Sequence, residues 1–382
     1  MIDIYSYDMV PLSDFLAEYK ELNTNNRFRP VAVGRYGIRT RESIYSKELA
    51  QDYSKNKLIY KDTLTVGMGS VQMDIGILTD DITCSVSPAY HTYRINGINC
   101  DYLRFCLQAR NADMFERYKK RGSRQGKSID LKAWLHYLIP VYEIDGQLQI
   151  VSTLHKIQSI IDDRMQQLQK LDALVKARFV EMFGTLDNPA RQFEYFTLKE
   201  LCSKITDGKH GGCIQESGTQ RYFVGAREIY DDEVHYDTAP EISIADFEKD
   251  YKRCNLEIGD FLIVNTGATI GKSAIASDYR TEKTLLQKSV ALLKVKRELL
   301  DPVFLQWCYR VNANMYMVES ASAQPNLLLS KINSTKIYVP EIELQSQFSS
   351  FVEQVDKSKF VVQQALDKAQ LLFDSLMQQY FG

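Results

Sequence analysis

The stretch Asn265–Ser273, NTGATIGKS, carries the glycines, lysine and hydroxyls from which a phosphate-binding loop is made. Such a loop needs four residues between its first Gly and the Gly-Lys-Ser/Thr, so that successive backbone N–H groups wrap the phosphates. Gly267 and Gly271 enclose only Ala268, Thr269 and Ile270, a spacing that draws those N–H groups away from an anion. A strand followed by a tight turn is the expected structure. The seven cysteines form no C-x-x-C pair and there are only five histidines, which argues against a zinc site and for free thiols in a reducing compartment, the cytoplasm. Carboxylates are plentiful, but no pair has a spacing that commits it to acid–base work or to a nuclease metal. The expectation is a chain with no catalytic residues and no metal of its own.

The 382 residues allow two or three domains, each with its own core. No apolar run approaches the roughly 20 residues of a membrane span, and MIDIYSYDMV lacks the basic-then-apolar pattern of a secretory signal. A net charge of −2 does not by itself suggest a nucleic-acid binder. Its distribution is more informative. From Arg117 to Lys132 seven Lys/Arg stand against a single acid, Asp130, and Gly122 and Gly126 keep the stretch from being a regular helix. A basic loop of this kind is either a solvated face or the footprint of phosphate binding.

The chain also repeats itself. YKDTLTVGMG (60–69) matches IGDFLIVNTG (258–267) at an offset of 198; YLRFCL (102–107) matches FLQWCY (304–309), and NADM (111–114) matches NANM (312–315). LIPV (138–141) answers YVPE (338–341), and RFVEMFG ending at Gly184 answers LMQQYFG ending at Gly382. Chance similarity does not keep this order. In this alignment Met73 and Asp74 stand where the second half has Gly271 and Lys272, so the duplicated feature is a strand and turn and not a phosphate cradle. DPVFLQWCYRVNANMYMVE (301–319) reads as a helix capped by Asp301, with Pro302 in its first turn. Leu154, Ile161, Leu168, Val175 and Met182 recur every seven residues, as do Phe348, Val355, Val362, Ala369 and Leu376. Each stripe belongs to a helix of about 37 residues, roughly 55 Å long, that cannot bury its apolar seam alone.

The fold class is therefore α+β: two globular modules joined by two long antiparallel coiled-coil helices, with an internal two-fold repeat. The boundaries read as 1–145 for the first module, 146–186 for the central helix, 187–342 for the second module and 343–382 for the C-terminal helix. Two divergent modules at a fixed separation suit a ligand with two unlike sites, as in DNA half-sites at helical-turn spacings.

With ITDGKHGG (205–212), GDFLIVNTGATIGKSAI (259–275), ASAQPNLLLSKINSTKIYVPEIELQSQF (321–348) and the closing FG of each helix, the chain resembles the specificity (S) subunit of type I restriction–modification systems over essentially its whole length. The resemblance implies a non-catalytic subunit. Each of its target recognition domains reads one half of a bipartite site in double-stranded DNA, while the helices set the gap and dock two methyltransferase subunits. Restriction subunits join the complex, and S-adenosylmethionine and ATP belong to those partners. DNPA (187–190) accordingly lacks the second Pro and the aromatic that would stack on a flipped base; it reads as an interdomain turn. The first half departs from the second in having LAEYKELNTNNRFRP (16–30) where the second has DGKHGG.

Base edges are read by side chains, and Lys, Arg and small polar groups on phosphates position the protein. In the second module the candidates are Asp207, Lys209 and His210, whose neighbouring glycines permit close backbone approach. Asn265, Thr266, Thr269 and Lys272 follow, with Ser322 and Gln324. In the first module they are Lys119, Lys120, Arg121, Arg124, Gln125 and Lys127, since Gln125 matches Gln324. Ser70, Gln72, Arg35, Arg39 and Arg41 are secondary. A stand-alone DNA-binding regulator is the alternative, against which the near-neutral charge counts.

Overall fold

The computed structural model describes residues 6–34, 37–41, 52–121, 127–312 and 327–382. The chain divides into two compact units, Met1–Met165 with Gln363–Gly382, and Gln166–Val362. Both long helices are present as continuous elements, Ile144–Phe183 and Ile342–Phe381, each of 40 residues. The division passes through both of them.

The first unit is built on a four-stranded antiparallel sheet. Its spatial order is Leu16–Tyr19, His91–Ile95, Thr63–Met68, Met73–Leu78. In the second unit Cys202–Asp207, Val290–Val295, Phe261–Val264 and Ser273–Ile275 take the same order, again antiparallel throughout. The central strands Thr63–Met68 and Phe261–Val264 are almost wholly buried, whereas the edge strands Leu16–Tyr19 and Cys202–Asp207 are mostly exposed or half-buried. Each sheet is accompanied by a two-stranded ribbon leading into a long helix: Tyr7–Pro11 with Leu138–Tyr142, and Glu194–Thr197 with Lys336–Val339. The repeat seen in the sequence is thus a repeat of topology.

Two details of the sequence alignment are corrected. The ribbons superpose at an offset of 198, so Ile139 corresponds to Ile337, both fully buried; matching LIPV to YVPE by their prolines displaces the register by two. The turn of the first sheet is also one residue longer. Val66 pairs with Ile75, while the Val264 N–H donates to the Lys272 carbonyl at 2.7 Å, so Ile75, not Asp74, is the counterpart of Lys272. A third expectation was too long. The helix that starts at Asp301 stops at Val311, because Asn312 leaves helical backbone angles and its side-chain amide donates to the Cys308 carbonyl at 2.7 Å. Asp301 does cap it, accepting from the Val303 and Phe304 N–H groups.

Within the first unit, Ile150, Leu154, Ile157 and Ile161 of the central helix share a core with Phe373, Met377 and Phe381 of the C-terminal helix. Within the second, Val175, Phe179, Met182 and Phe183 share one with Phe348, Val352 and Val355. Early residues of one helix meet late residues of the other in both cores, which is the antiparallel arrangement. The seam is tight at these ends, whereas Leu168 and Val362 are only half-buried.

A feature not anticipated from the sequence locks each helix start. Gln147, buried, accepts the Asn99 N–H at 2.9 Å and donates to the Tyr142 carbonyl at 2.8 Å. Gln345, fully buried, accepts the Asp301 N–H at 2.8 Å and donates to the Pro340 carbonyl at 2.7 Å and the Leu299 carbonyl at 3.1 Å. Asn99 and Asp301 are themselves helix N-caps. One amide therefore ties the cap of a core helix to the first turn of a long one, in both repeats. The residues match at the same offset, in YEIDGQ and PEIELQ.

Candidate nucleic-acid interface

The NTGATIGKS stretch forms a turn in which three successive N–H groups bond within the turn or to Val264 just before it. Ile270 donates to Gly267, Gly271 to Val264 and Lys272 to Thr269. Gly267 and Gly271 have φ of +108° and +89°, the left-handed region that favours glycine. The N–H groups of Ile270, Gly271 and Lys272, which a phosphate loop would aim at the anion, are thus engaged within the protein. Asn265 is buried; its N–H donates to the Ser289 carbonyl at 2.9 Å and its carbonyl accepts the Leu327 N–H at 2.8 Å. The Thr269 hydroxyl contacts the Ala226 carbonyl at 3.5 Å, and Thr266 is half-exposed. Lys272 is exposed and has no ion-pair partner among the described residues.

The DGKHGG element is more internal than its composition suggests. Lys209 donates to Asp250 at 2.6 Å and lies 3.6 Å from Asp246, both on the helix Ile244–Cys254. Its bond to Asp250 raises the ammonium's pKa. Arg253 from the same helix engages Asp207. Gly208 has its close backbone approach within the protein: a Cβ there would lie 2.1 Å from the Leu286 carbonyl oxygen. Only the tip is open. His210 is 60% exposed, 3.3 Å from Asp207, and added Cβ atoms at Gly211 and Gly212 would meet nothing within 4 Å.

In the first unit the basic stretch becomes a hairpin, Lys119–Arg121 paired with Lys127–Ile129. Lys119 pairs with Glu116 at 2.6 Å and Lys120 with Asp130 at 2.5 Å, and Arg117 pairs with Asp113 at 2.8 Å. Asp113 and Glu116 lie on the preceding helix, just ahead of the Arg117–Lys132 stretch. These pairs are solvent-exposed and individually worth about 0–1 kcal/mol, so phosphates can replace the carboxylates at small cost. Arg124, Gln125, Ser322, Gln324 and Arg35 lie outside the described residues, and Arg121 and Lys127 are described by backbone alone. Arg39, Arg41, Ser70 and Gln72 are at least partly exposed.

The turn that follows Val66 and the NTGATIGKS turn occupy equivalent places. Val66 pairs with His91 as Val264 pairs with Val290, so Gly67 and Tyr90 correspond to Asn265 and Ser289. The sizes are exchanged. A Cβ on Gly67 would come within 2.4 Å of the Tyr90 ring, whereas the second unit has a side chain at Asn265 and the small Ser289, whose Oγ accepts the Ala226 N–H at 3.2 Å. The two sheets thus carry different residues at equivalent strand ends.

DNPA is a tight turn, in which Asn188 and Thr185 exchange backbone hydrogen bonds and Ala190 donates to Phe183. A Cβ on Gly184 would meet the Asn188 carbonyl oxygen at 2.3 Å, so the turn is packed on the end of the central helix. The cysteines are all free thiols, and burial pushes that of Cys106 up to about 12. Among the described residues no group of three or more His, Cys, Asp or Glu could hold a metal ion, and no helix is long and apolar enough to cross a membrane.

Residues 190–368 match the family model of the type I restriction modification DNA specificity domain. The match falls on the second half of the repeat and covers just under half of the chain. The domain so matched is one of DNA specificity in type I restriction modification. The chain is similar in structure to the type I restriction–modification S subunit from M. genitalium, with a TM-score of 0.56 at 13% identity over 100% of this chain and 98% of that one. A chain from a structure on the complex assembly and conformational transition of the type I R-M system gives a TM-score of 0.60 at 15% identity, over 98% and 97%. At these identities the likeness is one of fold. No curated protein matches the chain.

Proposed function

We propose that each module of this chain reads one half of a bipartite site in double-stranded DNA, and that the long helices set the unread gap and dock two methyltransferase subunits. The observation that carries this reading is the pair of sheets with one topology and exchanged residues at equivalent ends: Gly67 with Tyr90, and Asn265 with Ser289. A duplicated reader with unlike reading ends suits two unlike half-sequences. Lys119, Lys120 and Lys272 contribute phosphate contacts, with His210 at the open tip of its loop. Lys209 and Asp207 support that loop from within.

Exposed apolar side chains on the helices favour partner docking over a solitary reader: Ile160, Met165 and Leu174 on the first, Phe360, Val361, Leu371 and Leu372 on the second. Patches of this kind on otherwise polar helices mark interaction surfaces. The chain itself is non-catalytic in this scheme and acts in the cytoplasm. S-adenosylmethionine and ATP are bound by methyltransferase and restriction partners. Mapping methylated adenines in the host genome, with and without this chain, tests the proposal. A two-part motif that disappears on deletion is expected; an unchanged methylation pattern overturns it.

A further inference from the structure

We propose that a cleft in the first module is its base-reading pocket, in which His91 recognises the exocyclic amino group of one base. This rests on the DNA-reading function and assigns it a site. The cleft has a volume of about 520 Å³ and is lined by Arg41, Gly67, Ser87, Tyr90, His91 and Ser128, among others. That volume lies within the range of small-ligand sites and accommodates one nucleotide entering edge-first.

Its position in the fold is the first argument. One wall is the end of the central strand Thr63–Met68, another the turn into His91–Ile95, and a third the basic hairpin at Ser128. In the second unit the equivalent strand end is covered, because Leu327 bonds directly to Asn265 and Asn265 to Ser289. The opening in the first unit follows from the exchange of residues. Gly67 has no side chain, so the Tyr90 ring lies against bare backbone, held by its hydroxyl donating to the Val33 carbonyl at 3.0 Å. Behind it the buried Lys57 ammonium donates to the Tyr90 carbonyl. The turn carrying Tyr90 and His91 is therefore fixed before any ligand arrives.

The second argument is the polarity of His91. Its Nδ1 lies 2.7 Å from Glu18 Oε1. A carboxylate can only accept, so Nδ1 carries the proton, and in the neutral ring Nε2 is left with a lone pair. An acceptor matches the amino groups that adenine and cytosine display in the major groove, and mismatches the oxygens of guanine and thymine. Arg41 and the basic hairpin at the rim supply the positive charge that a flanking phosphate requires.

The test uses the full-length chain assembled with its host methyltransferase and duplexes in which every position of both half-sequences is varied in turn. The unaltered protein comes first: if it discriminates no sequence, the DNA-reading function itself fails, separately from the pocket. Given discrimination, His91→Ala is expected to lose about 10-fold or more in selectivity at one position of one half-sequence, a position occupied by adenine or cytosine. The other half-sequence, read by the same molecule, stays unchanged and shows that the variant is folded. Glu18→Gln, whose amide can also donate, frees the ring to present N–H to the cleft and is expected to shift preference at that same position towards guanine or thymine. Unchanged selectivity at all positions, an equal loss for every sequence, or effects of the two variants at different positions overturns the assignment.

Discussion

The two units solve one structural problem alike and one functional problem differently. Sheet order, ribbon, helix cap and buried glutamine are the same in both, yet the pieces attached to the sheets are not. In the first, Lys57–Ile59 pairs antiparallel with Cys84–Val86; in the second, Tyr222–Val224 pairs parallel with Thr284–Leu286 and a helix, Ile244–Cys254, packs beside it. What holds the helices has been kept, and what faces the outside has changed. Selection on a duplicated reader has that signature: the frame must keep its geometry while the reading ends are free to diverge.

The sharpest way to break this comparison is at the helix ends. Phe183 packs on Phe304 at 4.9 Å between ring centroids, and its counterpart Phe381 packs on Tyr102 at 5.2 Å. Replacing either fully buried phenylalanine by Ala is expected to cost about 3–5 kcal/mol, seen in denaturant unfolding of the full chain. Similar losses are required if the two sites are equivalent; a loss at one alone would show the frame to be unequal. Next come the glutamines. Gln147→Ala and Gln345→Ala each leave a half-buried cap N–H without its side-chain partner, at a cost of about 1–3 kcal/mol. The larger loss is expected at Gln345, which makes three bonds where Gln147 makes two.

The reading ends give smaller effects. Changing Lys119 and Lys120 together to Ala should flatten the salt dependence of DNA binding by about one unit for each phosphate no longer neutralised. Lys272→Ala should do so by about one unit from the other module. An unchanged slope would remove that residue from the interface. Smallest is a difference in acid tolerance. The bond from Arg280 holds the Asp278 carboxyl below its usual range. A carboxyl depressed in the folded state contributes stability that is whole above about pH 4, the ordinary Asp value, and is lost as the pH falls through its folded value. Asp278→Asn should therefore shallow the acid limb of a stability-against-pH curve for the second unit and leave the first unit's limb unaltered.

Much of the frame was legible in the sequence because the duplication wrote it twice. Strand patterns, the Asp301 cap and the helix stripes rest on local periodicity, which one chain displays directly. Register was less legible: prolines drew LIPV onto YVPE, although YEIDGQ and PEIELQ held the correct offset and the buried glutamine besides. The candidate site was least legible. Lys209 looked available because its partners, Asp246 and Asp250, come from a helix that begins 35 residues later in the chain. Gly208 looked like a place for DNA to approach, but the backbone that approaches is the protein's own. Tyr90 and His91 gave no signal until strand pairing set them beside Gly67, for composition says nothing about which side chains share a strand end.

The division of the chain carries a consequence for its synthesis. The second unit is one unbroken segment, Gln166–Val362, whereas the first also requires Gln363–Gly382. A ribosome therefore releases Met1–Met165 early but withholds the aromatic plug that closes its core until the whole second unit has been made. The half made first is finished last, and its unplugged core is the surface a chaperone would meet in the interval.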